Sequence, residues 1–253
     1  MNRRYGWTPD KPDQRDHRFP IHLFDLGGLP PVVDLRSQCP PVYDQGALGS
    51  CTANAIAGAL EFDQMKQQEQ QVFTPSRLFI YYDERTREGT VNADAGAAIR
   101  DGIKGVNAQG ACHESLWPYD ISQFTVQPPA QCYQDALLHR SLSYQRVKQD
   151  VTHMKAALAA GYVIVFGFTV YESFESPQVA STGVVPLPGL DESVLGGHAV
   201  VAVGYRDDEQ TFIIRNSWSD QWGGPMQGYC TMPYAYLGNR GLASDFWVIQ
   251  TVQ

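Results

Sequence analysis

The segment "HAVVAVGYRDDEQTFIIRNSW", His198 to Trp218, holds two β-branched and aromatic runs on either side of the polar turn Arg206 to Gln210. Runs of this kind, broken by turn chemistry, read as the two strands of a hairpin. A pairing centred between 207 and 210 makes partner numbers sum to about 417, which sets His198 opposite roughly residue 219. His198 and Asn216 therefore belong to the same end of one hairpin.

Working outward, "VIVFGFTV" at 163–170 is a further strand, and "HMKAALAAG" before it is a short helix. The first half has a different character. From Cys51 to Phe62 the only strongly polar residues are Thr52, Asn54 and Glu61, so this helix is apolar nearly all round and should run through the core. "TPSRLFIYYDERTREG" places Thr74 at a helix N-cap and Pro75 at the first helical position. "DAGAAIRDGIKGVNAQG" starts a helix on Asp94, carries Ile99, Ile103 and Val106 on one face, and stops at Gly110. Helices first and strands afterwards, without βαβ alternation, imply an α+β fold with two lobes. Residues 1–33, rich in Pro, Asp, Arg and Gly, read as an extended arm anchored by Tyr5, Trp7 and Phe19, lying over core surface or over part of a cleft. Residues 34–120 form the mainly helical lobe with Cys51, and 121–253 the mainly β lobe with His198 and Asn216.

Composition narrows the function. The chain has 253 residues, 43% apolar and 18% charged, enough for a substantial core. Lys and Arg total 19 against 27 Asp and Glu, a formal charge of −8 with no charge blocks, which argues against nucleic acid or an anionic membrane as partner. The N-terminus lacks the apolar stretch of a signal peptide, and no later run is long enough to span a bilayer. A cytoplasmic site and export by a signal-independent route both fit. The five cysteines, at 39, 51, 112, 132 and 230, are odd in number and widely spaced, so no disulfide ladder is expected. Cys112, His113, Cys132 and His139 match no usual zinc spacing, and neither metal nor cofactor is expected.

One cysteine stands apart. In "DQGALGSCTANA", Asp44 to Ala55, Cys51 follows a glycine-rich turn and opens a helix, where unpaired N–H groups favour a thiolate. A histidine can take its proton, and an asparagine can hold that imidazole in one tautomer. Gln45, six residues earlier, can join the Cys51 N–H in an oxyanion hole.

These blocks resemble the papain family of cysteine peptidases: "QGALGSC" its oxyanion glutamine and nucleophile, "GGHAVVAVGY" its histidine strand, and "RNSWSDQWGG" its asparagine and tryptophan block. The resemblance implies the papain-like fold, with a helical lobe around a central helix, an antiparallel, barrel-like β lobe, and the site in the cleft between them. By resemblance Gln45 is the oxyanion donor, Cys51 the nucleophile, His198 the general acid/base and Asn216 its orienter. Trp218 would shield the Asn/His bond and Trp222 pack at the primed side. Asp94, Ala95 and Gly96 replace the family's Asn-Gly-Gly along the groove. Ala199 and Gly167 would wall the pocket for the second residue before the scissile bond, with Asp245 at its floor, and Gly197 would also contact substrate. Leu48 stands where the family has a cysteine, Thr52 where it has a bulky aromatic, and no long inhibitory propeptide is expected. The expected function is a monomeric endopeptidase acting on polypeptides through a thioester. The alternatives are a transpeptidase or amidase using the same site, or a binding module that has lost turnover.

Overall fold

A computed structural model describes residues 4–23, 26–68, 72–139 and 142–251. After a short strand β1 (Val32–Asp34) come helices α1 (Cys51–Lys66), α2 (Arg77–Glu88), α3 (Ile99–Gln109) and α4 (Ala130–Ala136). Strand β2 (Leu142–Arg146) and helix α5 (Val151–Ala159) lead to β3 (Ile164–Tyr171), α6 (Pro177–Thr182), β4 (Val194–Arg206), β5 (Thr211–Arg215), β6 (Tyr229–Pro233), α7 (Tyr234–Gly238) and β7 (Ala243–Thr251). The strands form one antiparallel sheet in the order β2-β7-β3-β4-β5-β6, with β1 alongside β4. This is the expected α+β, helices-then-strands arrangement; the sheet is open rather than a closed barrel.

The hairpin register is the expected one near the turn, where Arg206 pairs Thr211 and Tyr205 pairs Phe212. A bulge between Ala202 and Gly204 shifts it by one residue, so Val201 pairs Arg215. The central strands are buried on both faces, which explains why they read as continuous apolar runs. Val163, Val165, Val201 and Val203 face α1, while Ile164, Phe166, Phe168 and Val200 face the cluster built with α5 and α7. Every residue of α1 from Cys51 to Gln64 is buried, as its all-round apolar character requires.

Two helix starts differ from the sequence reading. Pro75 pairs with His113 and the Ser76 N–H donates to the Cys112 carbonyl, which keeps 74–76 extended; Ser76, not Thr74, caps α2 by accepting from the Phe79 N–H. Helix α3 starts at Ile99, because Asp94 instead accepts bonds from the Gly49 N–H (3.0 Å) and the Tyr81 hydroxyl (2.6 Å). Its end at Gly110 is as expected, with φ 81°.

Since α1 is packed on all sides, it tolerates little loss of volume. Ile56→Ala, at a fully buried position, is expected to lower stability by about 2–5 kcal/mol. Urea unfolding should show this as a lower midpoint with an unchanged slope.

Candidate active site

The turn Asp44–Ser50 places two candidate groups at the start of α1. Asp44 bridges to Trp218, and the Gln45 N–H donates to the Ser217 carbonyl (2.9 Å), so the segment before Cys51 is stitched to the segment after Asn216. The Gln45 side chain is buried and fixed from both ends. Its Oε1 accepts from the Ser217 hydroxyl at 2.6 Å, and its Nε2 donates to the Leu48 carbonyl at 3.0 Å. On the hairpin, His198 Nε2 and Asn216 Oδ1 are 2.8 Å apart, and the same oxygen accepts from the Ser217 N–H. The imidazole stacks on Trp218, with centroids 5.0 Å apart, and Trp218 packs edge-on against Trp222. The Ala199 N–H, next to His198, points at the Cys51 sulfur. Cys51, His198, Asn216 and Gln45 are thus brought together from the two lobes.

Phe174 was not foreseen. Its ring meets His198, Trp218 and Trp222, closing the aromatic box around the imidazole. Nor was Ser217 singled out, although it joins Asn216 to Gln45; one hydroxyl beside an asparagine carries no sequence signal of its own. Thr52, where the family has an aromatic, donates to the fully buried Glu84 carboxyl at 2.8 Å. Burial pushes that carboxyl well above its usual range.

The arm lies in the cleft. The Gly6 N–H also points at the Cys51 sulfur, and Gln45 Nε2 reaches the Arg4 carbonyl at 3.4 Å. Tyr5 packs edge-on against His198, at 6.2 Å, and against Trp218. Trp7 donates its N–H to the Gly197 carbonyl (2.9 Å), while its neighbours Gly6 and Thr8 hold the backbone of Ala97. Gly6 is necessary here, because it meets Gly49 and Gly96 backbone to backbone; a Cβ on it would lie 1.7 Å from the Gly49 carbonyl oxygen. The Trp7 indole fills a recess opened by Gly167, where a Cβ would come within 1.9 Å of the ring. Ala95 is exposed, and Gly96 and Ala97 make the contacts along this rim. Of the two sequence readings of the arm, the cleft cover describes residues 4–8. Burial under the arm pushes the Cys51 thiol up to about 12.

Farther along, the arm is clamped by charge. The Asp10 side chain is fully buried and accepts from the Trp247 indole N–H (2.9 Å) and the Arg100 N–H (3.0 Å). Asp245 accepts from the Asp10 N–H (2.8 Å) and pairs with Arg146 (2.7 Å). Asp16 bridges Arg100 and Arg146. A bulge in β7 opposite Val165–Gly167 explains how Asp245 turns toward the arm, with φ 59°. Residues 17–19 then extend the sheet along the edge of β2, with Phe19 against Tyr162.

Residues 29–248 match the sequence profile of the papain family cysteine proteases. The chain belongs to the papain family. Over its full length it is 44% identical to an uncharacterised peptidase C1-like protein of Acanthamoeba polyphaga mimivirus, covering 88% of that protein. It is similar to xylellain, a cysteine protease from Xylella fastidiosa, with a TM-score of 0.91 and 44% identity over the whole chain and 97% of xylellain. Digestive procathepsin L 3 of Tenebrio molitor larval midgut shares the fold at 20% identity (TM-score 0.71), over 98% of this chain and 76% of that one. Mouse cathepsin J is 26% identical across 86% of the chain, which spans 64% of cathepsin J. This papain-family member is accordingly a cysteine-type peptidase, a hydrolase acting on polypeptides. Among the described residues no helix is long and apolar enough to cross a membrane.

The clamp gives arm docking a pH dependence. Burial, and then the neighbouring Asp245 carboxylate, push Asp10 up to about 6, against the opposing pull of Arg100 and the bonds from Trp247 and the Arg100 N–H. An acid raised in this way favours the docked state while protonated. Its contribution is complete below about pH 4 and is lost as the pH rises through about 6. Asp10→Asn removes the charge at every pH but gives up one of the two acceptors, so each protein's own pH trend is compared. Between about pH 5 and 7.5 the protection of the Trp7 and Thr8 amides should fall in wild type and stay level in Asp10→Asn. The same trend in both would show that Asp10 does not tune the clamp.

Proposed function

We propose that the chain is an endopeptidase working through a thioester on Cys51, and that residues 4–8 hold it closed until they leave the cleft. The observation that carries this reading is the joint placement of Cys51, His198, Asn216 and Gln45 beneath an arm that touches Cys51, His198 and Gln45 of that set. With Nε2 bonded to Asn216, His198 exchanges its proton through Nδ1. Once water reaches the cleft, the thiol gives its proton to Nδ1, and the helix N-terminus and imidazolium stabilise the thiolate. The sulfur adds to the scissile carbonyl carbon, and the oxygen's negative charge is met by Gln45 Nε2 and the Cys51 N–H. One Gln45 proton stays on Leu48 and fixes the amide while the other serves the oxyanion. The imidazolium then protonates the departing amine, leaving a thioester, and the same imidazole activates the water that hydrolyses it.

Subsite roles follow the same reading. Gly167, Gly197 and Ala199 line the pocket for the second residue before the scissile bond, with Gly96 and Ala97 on the facing rim. Trp222, behind Trp218, belongs to the primed side. The Trp7 indole seated against Gly167 supports a pocket wide enough for a bulky aromatic side chain. Asp245 already pairs with Arg146, so its charge is matched before substrate arrives. Peptides with a bulky aromatic residue at that position are expected to be cut faster than those with arginine, read from the new termini in a mixed peptide library by mass spectrometry. Ligated products instead of new termini would indicate transfer rather than hydrolysis.

The closed state has its own test. Trp7→Ala removes the arm's largest anchor and should raise both kcat/KM and the rate of Cys51 alkylation roughly tenfold or more. Cys51→Ser in the same background should abolish turnover. If Trp7→Ala leaves the alkylation rate unchanged, the arm does not gate the thiol.

A further inference from the structure

Away from the cleft, three metal-ligating side chains converge on the helical lobe. His113 lies in the loop after α3, held by its pairing with Pro75. Asp135 and His139 are four residues apart on α4 and the helical turn that continues it, a spacing that puts both on one face. One ligand atom from each of His113, Asp135 and His139 lies within 4.8 Å of the other two. His113 Nδ1 and Asp135 Oδ2 are already 2.8 Å apart, and the His113 N–H donates to the same oxygen at 2.9 Å. All three side chains are half-buried, so solvent can supply a further ligand.

The surroundings hold the set in place. Phe73 lies against both imidazoles, 4.2 Å from His113 and 4.3 Å from His139 between centroids, and the two imidazoles meet edge-on at 5.0 Å. Cys112, Cys132 and Ala136 anchor the same loop and helix in a small buried cluster with Phe79. Neither ring must be recruited from solvent.

We infer that His113, Asp135 and His139 form a binding site for a divalent transition-metal ion, zinc being the best match. Two imidazoles and one carboxylate are the donor set that a borderline-soft ion takes in preference to magnesium or calcium. At zinc–ligand distances of about 2.0–2.2 Å the ligand atoms stand roughly 3.3 Å apart, so the His113–Asp135 contact opens slightly and His139 closes in. The ion replaces the proton shared between His113 and Asp135. The His113 N–H stays on the carboxylate and orients it. Bound there, zinc would staple the 111–116 loop to α4 without touching the catalytic cleft.

The probe is zinc chloride, titrated calorimetrically into the full, untagged chain carrying Cys51→Ser, which removes uptake by the thiol. One ion per chain is expected, with a rise in Tm, and His139→Gln and Asp135→Asn should each weaken binding at least tenfold. Anomalous diffraction at the zinc edge should place the ion between His113, Asp135 and His139, a readout that needs no variant to fold. No uptake in the Cys51→Ser chain, uptake unchanged in a His113→Gln/His139→Gln double variant, or an anomalous peak elsewhere would overturn the assignment.

Discussion

The seating of helix α1 against strand β4 is the constraint on which the molecule depends. The helix is buried on every side, so its N-terminus cannot be solvated by open water as an ordinary surface helix end would be. Instead its first residue faces a strand whose Ala199 N–H points at the Cys51 sulfur. The same strand carries His198 one residue earlier, and the pairing of Asp44–Gln45 with Ser217–Trp218 delivers Gln45 and Asn216 to that edge. Core packing and site geometry are therefore one arrangement. A shift of α1 along β4 would separate Cys51 from His198 as surely as it would open the core.

A cleft built this way exposes polar groups that need partners: the amides near Cys51, the Gln45 side-chain N–H, the Ala97 N–H and carbonyl, and the Gly197 carbonyl. In the closed state the arm supplies most of the partners that water or a polypeptide would otherwise supply. It leaves the thiol in an environment where the charged form is disfavoured, burial being the largest influence on it. On the function proposed above, activation of the nucleophile and clearance of the cleft are a single event. Asp10 lies a few residues beyond the part of the arm that covers Cys51, where its N–H meets Asp245 of β7, so it can adjust docking without altering the chemistry.

Much of this was legible in the chain itself. Strand β4 and β5 announced themselves by composition, and the turn between them fixed their register well enough to put His198 beside Asn216. The glycine turn before Cys51 marked a helix N-terminus. What composition could not show is where a tertiary contact overrides local preference. Pro75 looked like the first residue of a helix but pairs with His113, because the Ser76 N–H is claimed by Cys112. Asp94 looked like a helix start but holds the Gly49 amide. The resemblance implies a pocket floor for Asp245, whereas a bulge with left-handed backbone turns it to Arg146 and the arm. The course of the arm was the least legible, since Tyr5 and Trp7 have no periodicity to declare which surface they cover.

Direction bears on whether a peptide lying across a peptidase site is also its substrate. From N to C the arm passes from Tyr5, against Trp218 and His198, to Trp7, in the recess at Gly167. On the subsite reading proposed above, Trp222, packed behind the Trp218 that Tyr5 meets, marks the side taken by residues after the scissile bond, and Gly167 the side taken by residues before it. The arm thus runs opposite to a substrate. Reversal exchanges the peptide's donors and acceptors along the groove, and the nucleophile meets the Gly6 N–H where a substrate would present a carbonyl carbon. The sulfur is offered a hydrogen-bond donor and no electrophile. The Arg4 carbonyl does reach Gln45, but at 3.4 Å and as an ordinary acceptor, without the sulfur lined up behind it. On the function proposed above, seating in the cleft and protection from cleavage would follow from the same geometry, with a segment of the chain's own occupying the site without being consumed by it.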